Sequence, residues 1–110
     1  MYQVIIVDDE PRILEGIIHL FPWNNFGFEV VASFTNGKEA LEYINAHPQV
    51  DVVMTDIQMP VMNGYDSTRH IRALERPDIK SMPIIAMSAN AFAEDIKLCK
   101  ESGMNEHIVK

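Results

Sequence analysis

In this 110-residue chain, Asp8 and Asp9 follow the apolar run Val4-Ile5-Ile6-Val7, and Asp56 follows Val52-Val53-Met54-Thr55. Ser88 follows Ile84-Ile85-Ala86-Met87, and Lys110 follows His107-Ile108-Val109. Each polar side chain closes a short apolar stretch. If those stretches are parallel strands, the polar ends share one rim of a sheet, where open α/β folds bind their ligands. Three carboxylates gathered there repel one another unless a cation sits among them, and an all-oxygen ligand set suits Mg²⁺. Acids for a metal, a hydroxyl donor and a fixed ammonium are what phosphoryl transfer requires, because that chemistry is mainly positioning and charge neutralisation. Each residue alone has a plainer explanation. Asp in a βα loop often caps the following helix, and for the pair Asp8-Asp9 that explanation is the stronger one. A strand-end serine can be satisfied by backbone, and the lysine can simply be solvated. Ser88 and Lys110 on the same rim move the balance toward a phosphate-handling site.

The elements that must position these groups are legible from periodicity. Strands are expected over residues 3–7, 29–34, 51–55, 83–87 and 106–109. The first, third and fourth are almost continuously apolar, as central parallel strands buried on both faces are. A helix opens at Pro11, which suits a first helical turn, carries Ile13, Leu14, Ile17, Ile18 and Phe21 on one stripe, and is stopped by Pro22. Further helices are expected over 38–46 (inner face Ala40, Leu41, Ile44), 65–74 (Thr68, Ile71, Leu74) and 92–101 (Phe92, Ile96, Cys99), with Gly103 as the last one's stop. The alternation is four βα units and a closing strand, which predicts a doubly wound α/β domain.

Composition narrows the function classes. Sixteen acidic against nine basic side chains give a formal net charge of −7, which argues against direct nucleic-acid binding by this chain. Cys99 is the only cysteine, so no internal disulfide forms, and a reducing cytoplasm is the expected compartment. The uncharged run 16–28 contains Pro22, Asn24 and Asn25 and falls short of the ~20 apolar residues of a membrane span. Val4-Ile5-Ile6-Val7 runs straight into two acids, unlike a secretory signal, so Met1 reads as a native start and no membrane partner is expected.

Val7-Asp8-Asp9-Glu10, Asp56-Ile57-Gln58-Met59-Pro60 with Asn63-Gly64, Met87-Ser88-Ala89 and Lys110 together resemble the response-regulator receiver domain of two-component signalling. Each motif is weak alone; the ordered set spans essentially the whole chain. The resemblance implies a flavodoxin-like, five-stranded parallel sheet of order 2-1-3-4-5. It also implies a cytoplasmic module that takes a phosphoryl group from the phosphohistidine of a sensor histidine kinase or phosphotransfer domain. Carried over residue by residue, Asp56 is the phosphoacceptor, and Asp8, Asp9, Asp56 and the backbone carbonyl of Gln58 hold Mg²⁺. Lys110 pairs with the phosphoryl oxygens, Ser88 is the switch hydroxyl, and His107 stands where the family usually carries a switch aromatic. A surface histidine is an equal reading of His107. Gln58 and Asn90 border the path of the hydrolytic water, where amides orient water without deprotonating it, so self-dephosphorylation at an intermediate rate is expected. Such a domain catalyses its own aspartyl phosphorylation and slow dephosphorylation, and otherwise acts as a signalling module.

The front half, with Phe21-Pro22-Trp23-Asn24-Asn25-Phe26-Gly27-Phe28, is similar to receivers of AraC-type regulators. The back half, from Pro83 to Phe92 and on through Ser102-Gly103-Met104-Asn105, is similar to hybrid histidine kinase receivers. A chimera or family variation would account for the difference. Residues 1–110 are expected to form one receiver domain ending before the family's fifth helix. An apolar strip beside the first helix should then be exposed and covered by homodimerisation or element exchange. Two other functions compete. A Mg²⁺-dependent phosphatase would need a second acid where Gln58 stands, and a degenerate or engineered scaffold would keep the fold without switching.

Overall fold

The structure is a computed structural model that describes residues 1–57, 59, 62–88 and 93–109. Gln58, Pro60, Val61, residues 89–92 and Lys110 lie outside the described residues. Strands β1 (Tyr2–Val7), β2 (Phe28–Phe34), β3 (Val52–Asp56), β4 (Ile84–Ser88) and β5 (Glu106–Val109) alternate with helices α1 (Pro11–Leu20), α2 (Gly37–Ala46), α3 (Gly64–Arg72) and α4 (Ala93–Ser102). The strands form one sheet of order β2-β1-β3-β4-β5, and every pairing is parallel. This is the flavodoxin-like arrangement expected from the alternation and from the family resemblance. No helix among the described residues is long and apolar enough to cross a membrane.

The core explains why the central strands are apolar throughout. Alternate residues of β1 point to opposite faces, and each face is dry. Ile5 and Val7 join the larger cluster with Ile44 of α2, Ile71 of α3 and Cys99 of α4. Val4 and Ile6 join the smaller one with Leu14 of α1 and Met87. Burying each such aliphatic side chain contributes roughly 1.5–3 kcal/mol.

The second face is thinly covered. Among the described residues α1 is the one helix packed into it, and beside it runs an apolar groove of about 760 Å³ lined by Ile13, Leu20, Phe21, Met54, Met87 and Ile108. Leu20 is 87% exposed and Phe21 47%. The apolar strip expected beside the first helix is therefore present.

Most boundary differences have local causes. Asn36 and Asn63 accept the amide hydrogens of Glu39 and Asp66, each at 2.9 Å. These caps start α2 at Gly37 and α3 at Gly64, one residue earlier than periodicity suggests. The first helix stops at Leu20, and Trp23–Phe26 and Pro77–Lys80 form 3-10 turns that the apolar pattern did not reveal. On α4, Cys99 is buried as expected, but Ile96 is 37% exposed, because only one edge of that helix reaches the sheet. Phe92, expected beside them, lies outside the described residues.

Candidate functional site

The chain leaves β1 toward β2 on one side and returns to β3 on the other, so the strand order reverses between β1 and β3. Crevices at such reversals, outside the carboxyl ends of the strands, are where these folds bind ligands. Asp8 and Asp9 directly follow β1, and Asp56 is the last residue of β3 rather than the first beyond it. Their carboxylates converge, each offering an oxygen within 4.8 Å of the others. Asp8 is fully buried, Asp56 is 8% exposed and Asp9 is half-buried.

Backbone groups hold the two buried acids. Asp8 donates its amide hydrogen to the Phe34 carbonyl at 3.0 Å, and its Oδ1 accepts from the amide of Glu10 at 2.9 Å. That second contact turns the chain just ahead of α1, whose N-cap is Glu10 with no side-chain cap hydrogen bond, so the helix-capping explanation does not hold for Asp8. Asp56 Oδ1 accepts the Ile57 amide at 2.8 Å, and the Thr55 hydroxyl donates to the Asp56 carbonyl at 2.9 Å. Unit charges about 5 Å apart repel by on the order of 3 kcal/mol at an effective dielectric near 20. Three such pairs make the cluster a strong attractor for a hard divalent cation, and carboxylate oxygens are the donors that Mg²⁺ takes.

Gly64, the first residue of α3, shapes the same corner. A Cβ there would run into the carbonyl oxygen of Asp56 and lie 3.1 Å from Ile57 Cα. Its amide donates to the Ile57 carbonyl at 2.8 Å. The Asn63-Gly64 pair therefore lets α3 begin directly against the strand end that carries Asp56. The sequence marks the pair as a motif, but only the close approach gives the reason.

Ser88 closes β4, one residue past the Asp56–Met87 pairing, and its hydroxyl lies 2.6 Å from Nε2 of His107 on β5. His107, read as standing at the family's switch-aromatic position or as a surface histidine, is half-buried and makes this contact with the Ser88 hydroxyl. The roles expected of Gln58, Asn90 and Lys110 fall on residues outside those described.

Two further residues were not singled out by their motifs, Tyr65 at the start of α3 and Arg72 at its other end, beside the segments that lead into β4 and β5. Tyr65 is half-buried on α3, and its hydroxyl closes no hydrogen bond among the described residues. Burial first, then the nearby Cys99 thiol and Asp95 carboxylate, push its pKa up to about 12. Arg72, at the end of α3, donates to the carbonyls of Gly103, Ile79 and Met82 and to Asn105 Oδ1. The aromatics around Trp23 pack on one another, as expected. Its indole donates to the Ile17 carbonyl at 3.0 Å, and its ring meets Phe21 and Phe28.

Comparison with known proteins agrees with this geometry. The chain is 30% identical over all 110 residues to the uncharacterized transcriptional regulatory protein YesN of Bacillus subtilis, of which it spans 28%. It is 40% identical over 75 residues, 68% of this chain, to the transcriptional regulatory protein HptR of Staphylococcus aureus, of which the match covers 29%. The chain thus spans less than a third of these curated relatives. Among solved structures, a CheX-CheY-BeF3-Mg complex from Borrelia burgdorferi superposes with a TM-score of 0.85 at 29% identity, covering 99% of this chain and 78% of that one. The profile of the response regulator receiver domain matches residues 4–110. With that match over nearly its whole length, on a sheet whose order and acidic rim the family requires, the chain belongs to the response regulator receiver domain family.

Proposed function

We propose that Asp56 accepts a phosphoryl group from a phosphohistidine of a sensor kinase or phosphotransfer domain, in a cytoplasmic two-component pathway. The observation that carries this reading is the convergence of Asp8, Asp9 and Asp56 within 4.8 Å at the β1/β3 reversal. A carboxylate is ionised near neutral pH, so Asp56 needs no general base to act as nucleophile. Its oxygen forms a bond to phosphorus as the P–N bond of the phosphohistidine breaks. The Ile57 amide fixes one carboxylate oxygen, which orients the group for that attack.

Asp8, Asp9 and Asp56, with the Gln58 carbonyl that the family adds, would hold Mg²⁺, which when bound offsets the repulsion between the acids and the incoming phosphoryl group. Lys110 pairs with phosphoryl oxygens, and Ser88 gives one of them its hydroxyl hydrogen. The new charge and acceptor oxygens then bias the surface formed by α4 and β5. Moving such a surface from 1:99 to 99:1 needs about 5.5 kcal/mol of differential interaction, within reach of several charge-assisted hydrogen bonds. Gln58 and Asn90 set an intermediate hydrolysis rate by orienting water. The acidic balance of the chain leaves any DNA contact to another part of the protein.

The test is intact-protein mass spectrometry after treatment with acetyl phosphate, with and without Mg²⁺, on the parent and on Asp56→Asn. A single phosphoryl adduct that requires both Mg²⁺ and Asp56 is expected. An adduct that persists in Asp56→Asn overturns the assignment. An adduct that leaves the α4 resonances unmoved favours a scaffold that does not switch.

A further inference from the structure

We propose that the Ser88–His107 pair is a proton-linked switch, in which phosphorylation of Asp56 and protonation of His107 favour each other. This rests on the phosphoacceptor reading above and goes beyond it by assigning a proton to the signalling step. The carrying observation is the 2.6 Å contact between Ser88 Oγ and His107 Nε2. At that separation one hydrogen lies between the two atoms, and either atom can supply it. A neutral imidazole with a bare Nε2 accepts the hydrogen of Ser88. An imidazole with hydrogen on Nε2, or an imidazolium, donates to Ser88 instead.

Ser88 has a single hydroxyl hydrogen. Once that hydrogen is given to an anionic phosphoryl oxygen, Oγ can meet His107 only as an acceptor, and Nε2 must carry hydrogen. Phosphorylation therefore disfavours the tautomer with a bare Nε2 and leaves the imidazolium untouched, while the added negative charge favours the cation. By linkage the effect is reciprocal: acid that protonates His107 favours the phosphorylated arrangement.

His107 is half-buried and lines a cleft of about 200 Å³ between α4 and β5. The α4 side presents Cys99 and Lys100, Glu106 is its neighbour on the strand, and Ser88 faces it from β4. Burial holds the Cys99 thiol above its ordinary range, so it stays neutral while a histidine titrates. Lys100 and Glu106, which line the same cleft, are exposed and of opposite sign.

The experiment is an NMR titration of the His107 imidazole nitrogens in the full chain, with and without Mg²⁺ and beryllofluoride as the phosphoryl mimic. The parent, Ser88→Ala and His107→Phe are compared, and His107→Phe identifies the signal among the four histidines. With the mimic bound, the parent should lose the bare-Nε2 tautomer and its His107 midpoint should rise by about half a unit, a threefold gain in proton affinity. In Ser88→Ala the tautomer shift should vanish. Mimic binding should tighten toward low pH more in the parent than in His107→Phe, which cancels the titration of the mimic itself. An unchanged midpoint and tautomer in the parent, or an equal response in Ser88→Ala, overturns the proposal while acetyl phosphate labelling of Asp56 still stands. If Asp56 takes no label, the phosphoacceptor reading fails, and this inference fails with it.

Discussion

Arg72→Met tests how the face opposite α1 is held together. The guanidinium donates from Nε to the Gly103 carbonyl at 3.0 Å and from Nη1 to the Ile79 and Met82 carbonyls at 2.5 and 2.7 Å. Its Nη2 donates to Asn105 Oδ1 at 2.7 Å. One side chain thus ties the end of α3 to the second 3-10 turn, the residue before Pro83 and the turn between α4 and β5. Asn105 Oδ1 also accepts the Ile84 amide at 2.9 Å, so the tie extends to the start of β4. Hydrogen bonds from a charged donor contribute about 1.5–3 kcal/mol each, and four taken at face value would sum to far more than the net effect. Two terms reduce it. The cation is half-buried with no carboxylate among these acceptors, and burial holds its pKa below the usual arginine value, so part of the gain offsets desolvation. Water can also reach some of the freed carbonyls. Methionine keeps the aliphatic packing and removes the donors, so the expected loss is about 2–4 kcal/mol, the cost of one or two buried acceptors left unsatisfied. Arg72→Lys should recover less than half of that, since one ammonium cannot span acceptors on four residues. Urea unfolding followed by far-UV circular dichroism measures both variants. An Arg72→Met protein within about 0.5 kcal/mol of the parent, the range of ordinary surface substitutions, would refute the reasoning.

Two other substitutions probe the rim. Gly64→Ala places a methyl group against the Asp56 carbonyl and Ile57 Cα; these are backbone atoms that cannot swing aside, so a loss of at least about 1–3 kcal/mol is expected, together with slower labelling of Asp56 in the acetyl phosphate assay. Unchanged unfolding midpoint and labelling rate would show that the corner is not tightly packed. Tyr65→Phe removes a buried hydroxyl that closes no hydrogen bond among the described residues and should be neutral or stabilising by up to about 1 kcal/mol. Because the folded pKa of Tyr65 is raised to about 12 from 10.0, ionising it costs the folded state, so the parent loses stability as pH rises from 10 toward 12 and not below that range. Denaturation midpoints should therefore fall less steeply across that range in Tyr65→Phe than in the parent, and identical slopes would contradict the shift.

The amino-acid sequence by itself determined the alternation of strands and helices. Continuous apolar runs such as Val4-Ile5-Ile6-Val7 belong where both sheet faces are dry, and Ala40, Ile44, Thr68 and Ile71 recur at the helical period. It also determined where the acids fall, because a carboxylate is tolerated at the end of a buried strand and not within it. Tertiary structure decided what each side chain meets across the chain. Arg72 reaches Gly103 and Asn105, 31 and 33 residues away, and Ser88 reaches His107, 19 residues away. Hydropathy periodicity reports which side of an element is dry, but it carries no information on which polar partner arrives there from a distant strand. That is why the contact between His107 and Ser88 is visible only with β4 and β5 side by side. Gly64 shows the same division. Its place in a motif was visible, but its necessity lies in a backbone approach to Asp56 that exists only once α3 has packed against the end of β3.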